Sequence, residues 1–445
     1  MEGVRLLCAP GEPLLEGAIE VADGCITALG PNLPPDAQIT SLDRTGMLVI
    51  PGFVQGHIHL CQSLFQGLAE GRRLDRWLRE RIWPLEAALD EESLRAAARW
   101  GIAQTLLHGG TTILDMGTVH DTDVIAETAR EMGVRIILGK ALMDAGDGVP
   151  PALTQPPETA FREALALHDR WHGSADGRLQ VSFAPRFTLS VSGALWRQLA
   201  AEARRRGMLV HTHASETPWE NERCREMHGL TPVRALAEWG VFDAPSVLVH
   251  TVCIDEEEID LLAGHGVGVI HCPGSNAKLG SGTAPAWRLH AAGVAVGLGA
   301  DGVACNDQLS VPAEMRLAAQ LQSLREGPGV LSAREVFAWA TDRGAAAVNL
   351  GDRIGRLAVG RRADLLLFRE AELPWPPDLP REQGFVYASA GLRPAEVIVD
   401  GRQLVAGGEL LTGDLSTIRR EAAQQRQRLL ARLERKEAQW EFPAN

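Results

Sequence analysis

Short apolar runs, each bounded by glycine or polar residues, recur along most of the chain and predict buried β-strands. Each run is rich in Val, Ile or Leu, as expected for a strand that is buried on both faces. The eight predicted strands are Leu48–Leu60, Thr111–Met116, Val134–Met143, Leu179–Pro185, Met208–Ala214, Ser246–Val252, Gly266–Cys272 and Val294–Ala300. Helical patterns separate most of these runs, most clearly at Glu91–Leu107, Ala194–Arg206 and Asp255–Gly264.

This alternation of strands and helices predicts an α/β fold, and specifically a (β/α)8 TIM barrel. Eight strands with their helices fit the roughly 250 residues that such a barrel occupies. An open, doubly wound sheet is the alternative. We disfavour it because no glycine-rich phosphate-binding fingerprint follows the first predicted strand.

The two ends of the chain differ from the barrel pattern. Short strand patterns with turn signals such as Ala22-Asp23-Gly24 run through the first 50 residues, and a similar pattern returns at Ala363–Phe368. The two segments together predict one small β-sandwich-like domain formed by both termini. The predicted boundaries are 1–53 and 355–412 for this domain, 54–354 for the barrel and 413–445 for a C-terminal helix.

The charged helical pattern at 413–441 places Leu429, Leu430 and Leu433 on one stripe. Such a helix is typical of a solvent-facing or oligomer-facing element, and we assign it no chemistry.

The net charge and the composition limit which binding partners and which cellular compartment fit this protein. The net charge of −13 argues against nucleic acid or an anionic membrane as the main partner. No apolar run is long enough to span a bilayer, and the N-terminus lacks the pattern of a signal peptide. The seven cysteines are scattered without a CxxC pair, as in a protein with reduced thiols. We therefore expect a cytoplasmic protein.

The first predicted strand carries the most informative chemistry. Its end reads Gly56-His57-Ile58-His59, and side chains two residues apart on a strand project to the same side. Two imidazoles that face one point form half of a metal site. The alternative, two polar residues on a solvated strand face, is weakened by the apolar residues that surround the pair.

Four further residues of ligand or proton-transfer type fall at or just beyond the carboxyl ends of predicted strands, where TIM-barrel active sites lie. They are His213, Glu216, His250 and Asp301. Any one of them could be a satisfied core residue, but burying the whole set unpaired would be costly. Imidazoles with one carboxylate suit zinc or iron(II), which activate water.

The roles of these residues follow from their chemistry. Asp301 can bind the metal and accept a proton from water, His250 can orient the water, and Glu216 can carry a proton to a leaving group. The set describes hydrolytic attack on an electron-poor carbon.

The motifs that carry these residues resemble those of the amidohydrolase superfamily, and specifically its aminohydrolase branch. That branch contains adenosine-type deaminases (including a 5′-deoxyadenosine deaminase-like subgroup), guanine deaminases and s-triazine hydrolases. The matching motifs are Pro51-Gly52-Phe53 with His57-Ile58-His59, His213-Ala214-Ser215-Glu216-Thr217, His271–Leu279 and Gly299-Ala300-Asp301-Gly302. The resemblance implies one divalent metal, zinc or alternatively iron(II), held by His57, His59, His213 and Asp301. It also implies Glu216 as the proton shuttle and His250 beside the metal-bound water.

The resemblance further implies a metal-dependent hydrolytic deaminase of a purine nucleoside such as 5′-deoxyadenosine, methylthioadenosine or S-adenosylhomocysteine, which releases ammonia. A guanine or pterin deaminase and an s-triazine-type chloro- or aminohydrolase are the alternatives. A binding barrel without activity is disfavoured because none of the six site residues is missing. The implied partners are a small amino-heterocycle and water, with no nucleic acid or membrane, in a homo-oligomer.

The residues that would bind the substrate are harder to assign. Glu86 resembles the glutamate that binds ribose hydroxyls in adenosine-type deaminases, and a carboxylate can accept two hydroxyl protons. Gln62 and Arg186 resemble residues of guanine deaminases, so the nucleoside and the bare base both stay open. Trp83 is a candidate to stack on a flat base, although core packing is the favoured role, and Asn306 is a candidate to line the pocket.

Overall fold

The computed structural model describes residues 1–31, 33 and 41–437 of the chain. The strands in these residues belong to two hydrogen-bonded sheets, a barrel and a smaller sheet. The strands are β1 Val4–Leu6, β2 Leu15–Ala22, β3 Cys25–Gly30, β4 Met47–Pro51, β5 Phe53–Ile58, β6 Gly110–Thr118, β7 Arg135–Leu142, β8 Leu179–Pro185, β9 Val210–Ala214, β10 Ser246–His250, β11 Gly268–His271, β12 Val296–Leu298, β13 Leu365–Arg369, β14 Glu396–Val399, β15 Arg402–Ala406 and β16 Glu409–Leu410.

The barrel consists of β5 to β12, which lie side by side in chain order with parallel pairing throughout. Its first and last strands meet at a bridge between Ile58 and Asp301, where the Asp301 N–H donates to the His57 carbonyl at 3.0 Å. The predicted TIM barrel is therefore confirmed, and its seam lies at two of the predicted metal ligands.

The helices of the described residues cover the barrel and connect its strands. They are α1 Leu74–Trp77, α2 Trp83–Ala87, α3 Glu91–Leu107, α4 Thr122–Met132, α5 Pro157–Trp171, α6 Ser174–Gly177, α7 Gly193–Arg206, α8 Pro218–His228, α9 Pro232–Glu238, α10 Glu256–His265, α11 Pro273–Leu279, α12 Ala286–Ala291, α13 Val303–Asn306, α14 Val311–Glu326, α15 Ala333–Ala340, α16 Asp342–Ala347, α17 Arg381–Tyr387 and α18 Leu415–Glu437. A π-helical segment, Leu78–Ile82, joins α1 to α2. Within the described part of the chain, no helix has both the length and the apolar character needed to cross a membrane.

The predicted first strand, Leu48–Leu60, is divided in the structure. Its first half is β4 of the smaller sheet and its second half is β5 of the barrel, with Gly52 between them. A Cβ atom on Gly52 would lie 2.1 Å from the Thr111 Oγ1 atom, so only glycine fits where the chain passes from one sheet to the other. An apolar run alone does not show such a change of sheet.

The smaller sheet has the strand order β16-β15-β14-β13-β4-β1-β2-β3, so it combines strands from both ends of the chain. Alternate residues of β4 face different cores, as the period of two in a strand requires. Leu48 and Ile50 belong to the main core, whereas Val49 packs in a separate small core that includes Leu365 and Leu367. The predicted sheet from both termini is thus confirmed.

A buried charge network fastens the barrel to the smaller sheet. The Arg135 guanidinium on β7 donates two hydrogen bonds to Asp364, at 2.8 and 2.9 Å, and a third to Asp400 at 3.0 Å. Asp400 also pairs with Arg178 and Arg362. Because each buried charge has a partner of opposite sign, the network tolerates burial that an isolated charge would not.

The C-terminal helix packs one face along α3 of its own chain and leaves the charged residues of its other face exposed. Ile418, Ala422 and Leu429 are buried on its inner face. The Arg426 guanidinium donates to the carbonyl oxygens of Leu64 and Gln66, at 3.0 and 2.6 Å. Residues 438–445 of the predicted helical segment lie outside the described residues.

Candidate metal and substrate site

The six residues predicted to carry the chemistry meet at the carboxyl ends of the barrel strands. His57 lies on β5 and His59 follows it, His213 lies on β9 and His250 ends β10. Glu216 and Asp301 lie just beyond β9 and β12. The structure therefore brings together, at one end of the barrel, residues that are far apart in the sequence.

Four of these residues present ligand atoms to one point. The Nε2 atom of His57 lies 3.2 Å from Nε2 of His213 and 3.3 Å from Oδ1 of Asp301. The Nε2 atom of His59 lies 3.3 Å from Nε2 of His213 and 3.3 Å from Oδ1 of Asp301. Two ligands that are each about 2.0–2.1 Å from a tetrahedral zinc lie about 3.3 Å apart, so the observed spacing fits a divalent metal.

The protonation of the imidazoles also fits a metal. The Nδ1 atom of His213 lies 2.7 Å from the Arg186 carbonyl oxygen, which can only accept, so this nitrogen carries the proton and Nε2 keeps its lone pair. Burial lowers the pKa of both His59 and His213 well below the usual value. The rings therefore stay neutral, which is the form that binds metal.

Asp301 provides the negative charge of the set. Burial alone would raise its pKa, but the hydrogen bond from His57 and the nearby imidazole of His59 lower the pKa well below its usual range. Its second oxygen, Oδ2, accepts a hydrogen bond from the Ser275 hydroxyl at 2.7 Å. The carboxylate is thus ionised and held in one orientation.

Glu216 and His250 lie beside the four ligand atoms. The Oε1 atom of Glu216 accepts from the Ser281 hydroxyl at 3.0 Å, and its Oε2 atom lies 3.6 Å from the His250 Nε2 atom. That Nε2 atom is also 3.9 Å from Asp301 Oδ2. Burial raises the pKa of Glu216, and the charge of Asp301 raises it further. The carboxyl group therefore holds a proton more readily than an ordinary glutamate does, as a proton carrier requires.

One residue of this network escaped the sequence analysis. Glu220 on α8 is 1% exposed, and its Oε2 atom accepts a hydrogen bond from the Glu216 N–H at 2.7 Å. Burial raises the pKa of Glu220 to about 7. The pattern of Thr217 followed three residues later by Glu220 is that of a helix N-terminal capping box, a signal that could have identified it.

The backbone around the site is strained. Ser215, His250 and Asp301 have φ angles of 53°, 74° and 60°, in the left-handed region that residues other than glycine rarely adopt. Such conformations cluster at functional sites, where the surrounding structure holds them in place. No pattern in the sequence marked these turns.

The predicted substrate residues Gln62, Glu86 and Arg186 also come together. The Arg186 guanidinium makes a two-point contact with the Glu86 carboxylate, at 2.5 and 3.1 Å, and the Gln62 amide donates to Glu86 at 2.9 Å. The carbonyl group of the same Arg186 accepts the bond from His213. This cluster therefore connects directly to the metal ligands.

Two cavities border the cluster. The first contains the site itself and is closed on one side by the apolar side chains of Leu74, Trp77 and Leu78. The second has a volume of about 310 Å³ and is lined by Glu86, among other residues. Arg186 lies in the wall of both cavities, so the two cavities are neighbours across this arginine.

Three predicted substrate residues line neither cavity: Gln62, which contacts the cavity residue Glu86, and Trp83 and Asn306. Trp83 is 2% exposed and belongs to the main hydrophobic core, so the prediction that it stacks on a base is corrected. Asn306 donates through Nδ2 to the Ala300 carbonyl and the Glu314 carboxylate, each at 2.8 Å, and so supports the loop after β12. Trp77, which the sequence analysis did not select, lies beside the site instead.

Comparison with known proteins agrees with this geometry. Residues 48–404 match the amidohydrolase family. The chain belongs to the amidohydrolase family. This amidohydrolase is 37% identical to a 5′-deoxyadenosine deaminase of Methanothermobacter thermautotrophicus, over 92% of the chain and 93% of that relative. It is 35% identical to a 5-methylthioadenosine/S-adenosylhomocysteine deaminase of Desulforudis audaxviator, over 93% and 95%.

A solved structure supports the same conclusion for this amidohydrolase. An adenosine deaminase from Xanthomonas campestris, crystallised with bound zinc, is similar with a TM-score of 0.87 and 29% identity, covering 96% of this chain and 98% of that chain. The predicted membership of the superfamily and the predicted class of hydrolytic aminohydrolase are both confirmed. The site of this amidohydrolase and the zinc in that structure support a divalent metal.

Proposed function

We propose that this amidohydrolase is a metal-dependent deaminase that hydrolyses the exocyclic amino group of a purine nucleoside and releases ammonia. One observation carries the proposal: three imidazoles and one carboxylate converge on a single point, with Glu216 and His250 beside them in the same buried pocket. A ligand set with an adjacent proton carrier suits the addition of water to an electron-poor ring carbon.

His57, His59, His213 and Asp301 would hold the metal, which we propose to be zinc, with iron(II) as the alternative. When bound, such a metal acts as a Lewis acid and lowers the pKa of water to about 7. The ligand set of three nitrogens and one oxygen suits zinc. Metal analysis of the purified protein would separate zinc from iron.

The protein residues then divide the proton transfers between them. His250 would orient the water by hydrogen bonding, and the ionised Asp301 would accept a proton from it. The oxygen adds to the amino-bearing carbon while Glu216 protonates the adjacent ring nitrogen. Glu216 then takes the remaining proton of the added hydroxyl group and delivers it to the amino group, the carbon–nitrogen bond breaks, and ammonia leaves a ring that now carries an oxo group. The proton held by Asp301 finally returns to Glu216.

The second cavity supports a nucleoside as the substrate. The cavity lined by Glu86 and Arg186 has a volume of about 310 Å³ and lies beside the pocket of the catalytic residues, so there is space next to that pocket for a sugar. Glu86 would accept hydrogen bonds from ribose hydroxyls at the entrance to that space. The relatives named as deaminases of 5′-deoxyadenosine and methylthioadenosine agree with a sugar in this position.

A second candidate substrate, a guanine-type base, is favoured by a different observation. Both oxygens of Glu86 already accept hydrogen bonds from Arg186, and Gln62 donates to one of them. A carboxylate engaged in this way is a weaker acceptor for ribose. The Oε1 atom of Gln62 is buried and has no partner among the described residues, and in this second candidate it would accept from a ring N–H group.

Ammonia release by the zinc-loaded protein tests the proposal. The panel would contain 5′-deoxyadenosine, adenosine, methylthioadenosine, S-adenosylhomocysteine, guanine, a pterin and an aminotriazine, with Glu216→Gln protein as the control for contaminating deaminases. We expect turnover of the adenosines alone. Turnover confined to guanine would favour the second candidate, and no ammonia from any compound would contradict deamination.

The compartment and the assembly are separate proposals. We propose a cytoplasmic homo-oligomer, in agreement with the seven cysteines, all of which are free in the structure. Light scattering coupled to size exclusion would measure the assembly.

A further inference from the structure

A buried histidine that is not among the four ligands contacts the proposed metal centre. His211 lies on β9, two residues before His213, and is completely buried. Its Nε2 atom lies 2.9 Å from the Nδ1 atom of His57, and the two rings meet edge to face with centroids 5.0 Å apart. The Nε2 atom of His57 thus faces the ligand cluster, and its Nδ1 atom faces His211.

A contact of 2.9 Å between two imidazole nitrogens requires one proton between them. With neutral rings there are two arrangements. In the first, His57 donates from Nδ1 and its Nε2 atom keeps a lone pair that can bind metal. In the second, His211 donates from Nε2, His57 carries its proton on Nε2, and that atom cannot be a ligand.

The neighbouring ligand His213 has no such freedom. Its Nδ1 atom faces a backbone carbonyl, which accepts in every state, so its tautomer is fixed without metal. His211 can either accept or donate, so the tautomer of His57 depends on where the proton of His211 lies. Because a second partner of a metal-bound imidazole sets its orientation and basicity, this contact bears directly on metal affinity.

We propose that His211 is a positioning residue of the metal centre, which accepts the Nδ1 proton of His57 and thereby presents the Nε2 lone pair to the metal. The inference rests on the proposed metal centre. The accepting arrangement puts the proton of His211 on its own Nδ1 atom, which has no hydrogen-bond partner among the described residues. In the opposite arrangement the Nε2–H of His57 faces the Asp301 Oδ1 atom at 3.3 Å, so we expect the metal-free protein to adopt it and metal binding to move both protons.

His271 provides a matched control within the same barrel. It is also completely buried on a barrel strand, and neither of its ring nitrogens has a partner among the described residues. Replacing it removes a buried imidazole without removing a contact to a ligand. A difference between the two positions therefore reports the contact with His57 and not the loss of a core side chain.

Zinc affinity, measured by competition with a chromogenic chelator starting from the zinc-loaded protein, is the first test. We expect His211→Phe to weaken zinc binding by about 10- to 100-fold, the usual effect of removing such a partner. His211→Gln should lose less, because its amide oxygen can accept the His57 proton. His271→Phe should bind zinc as the wild type does. Equal losses at positions 211 and 271, or no loss at 211, would overturn the proposal.

Proton positions in the wild-type protein provide a second test that needs no variant to fold. Long-range ¹H–¹⁵N spectra distinguish protonated from unprotonated imidazole nitrogens. In the zinc-loaded protein we expect protons on Nδ1 of both His57 and His211, and after chelation a shift of both protons to Nε2. A proton on His211 Nε2 in the zinc-loaded state would refute the accepting role. Neither readout depends on turnover, so failure of the deaminase proposal would be seen separately.

Discussion

Glu216→Gln removes a transferable proton while leaving the surroundings of the side chain almost unchanged. The carboxyl group is 5% exposed, and its Oε1 atom accepts from Ser281 at 3.0 Å. A glutamine of the same shape keeps an oxygen for that hydroxyl. Glu216 is also outside the set of four ligand atoms. The substitution therefore tests proton transfer apart from packing and metal binding.

The structure indicates a large effect on the rate. A positioned general acid or base contributes about 10²- to 10⁴-fold, or about 3–5 kcal/mol of barrier height. Glu216 meets the conditions for such a role, because it is buried, its pKa is raised and it lies 3.6 Å from His250. We expect kcat to fall by at least about 10²-fold, with KM and zinc content close to those of the wild type.

A coupled assay for ammonia, together with metal analysis of the same samples, would measure both quantities. Glu220→Gln is the matched control, since it removes a neighbouring buried carboxyl but keeps an acceptor for the Glu216 N–H. We expect it to retain much more activity. An undiminished kcat in zinc-loaded Glu216→Gln protein would refute the shuttle, as would an equal loss in the control.

Three further substitutions test other parts of the structure. Glu86→Gln leaves the buried Arg186 without a counter-charge and weakens the proposed ribose contact. In steady-state assays, KM for nucleosides should therefore rise roughly tenfold, as expected for the loss of a charged hydrogen bond. An unchanged KM would contradict the ribose role. Arg135→Met leaves the buried Asp364 carboxylate without its guanidinium partner and removes one of the three partners of Asp400, so it should lower the free energy of unfolding in urea by about 3–5 kcal/mol. Arg76→Ala at an exposed pair should have little effect. Burial lowers the pKa of Lys140 from 10.5 to about 8, so between these pH values the unfolded chain binds more protons than the folded protein. Stability should therefore rise from about pH 8 to pH 10.5, and Lys140→Met should flatten that rise; equal slopes in the two proteins would count against it.

The barrel was predictable because each of its strands is marked by a pattern of neighbouring residues in the sequence. Each strand is a short apolar run, and the parallel order follows from the helices between the runs. The division of Leu48–Leu60 at Gly52 was missed, because both halves are equally apolar and only the approach of Thr111 shows why the chain must turn there. The packing of α18 was missed for a similar reason: a leucine stripe shows that a helix has an apolar face, but not what covers it.

The meeting of the predicted metal ligands at one site was predictable because it follows from the assignment of the barrel strands. Carboxyl ends of parallel strands share one edge, so His57, His213 and Asp301 had to lie near one another once the strands were assigned. The supporting contacts were not predictable, because they join side chains through space. Neither His211 nor Glu220 differs in its sequence surroundings from a residue of the core or of a helix cap.

The smaller sheet has a consequence for synthesis on the ribosome. Strand β4 pairs on one side with β1 and on the other with β13, which emerges only after the whole barrel has been translated. Until then one edge of β4 has no partner, and an apolar strand with an open edge can pair with other chains. Since only Gly52 separates β4 from the strand that carries His57, the nascent enzyme keeps this edge next to its forming active site throughout elongation. Emergence of β13 thus closes this edge and ends the period in which β4 can pair with another chain.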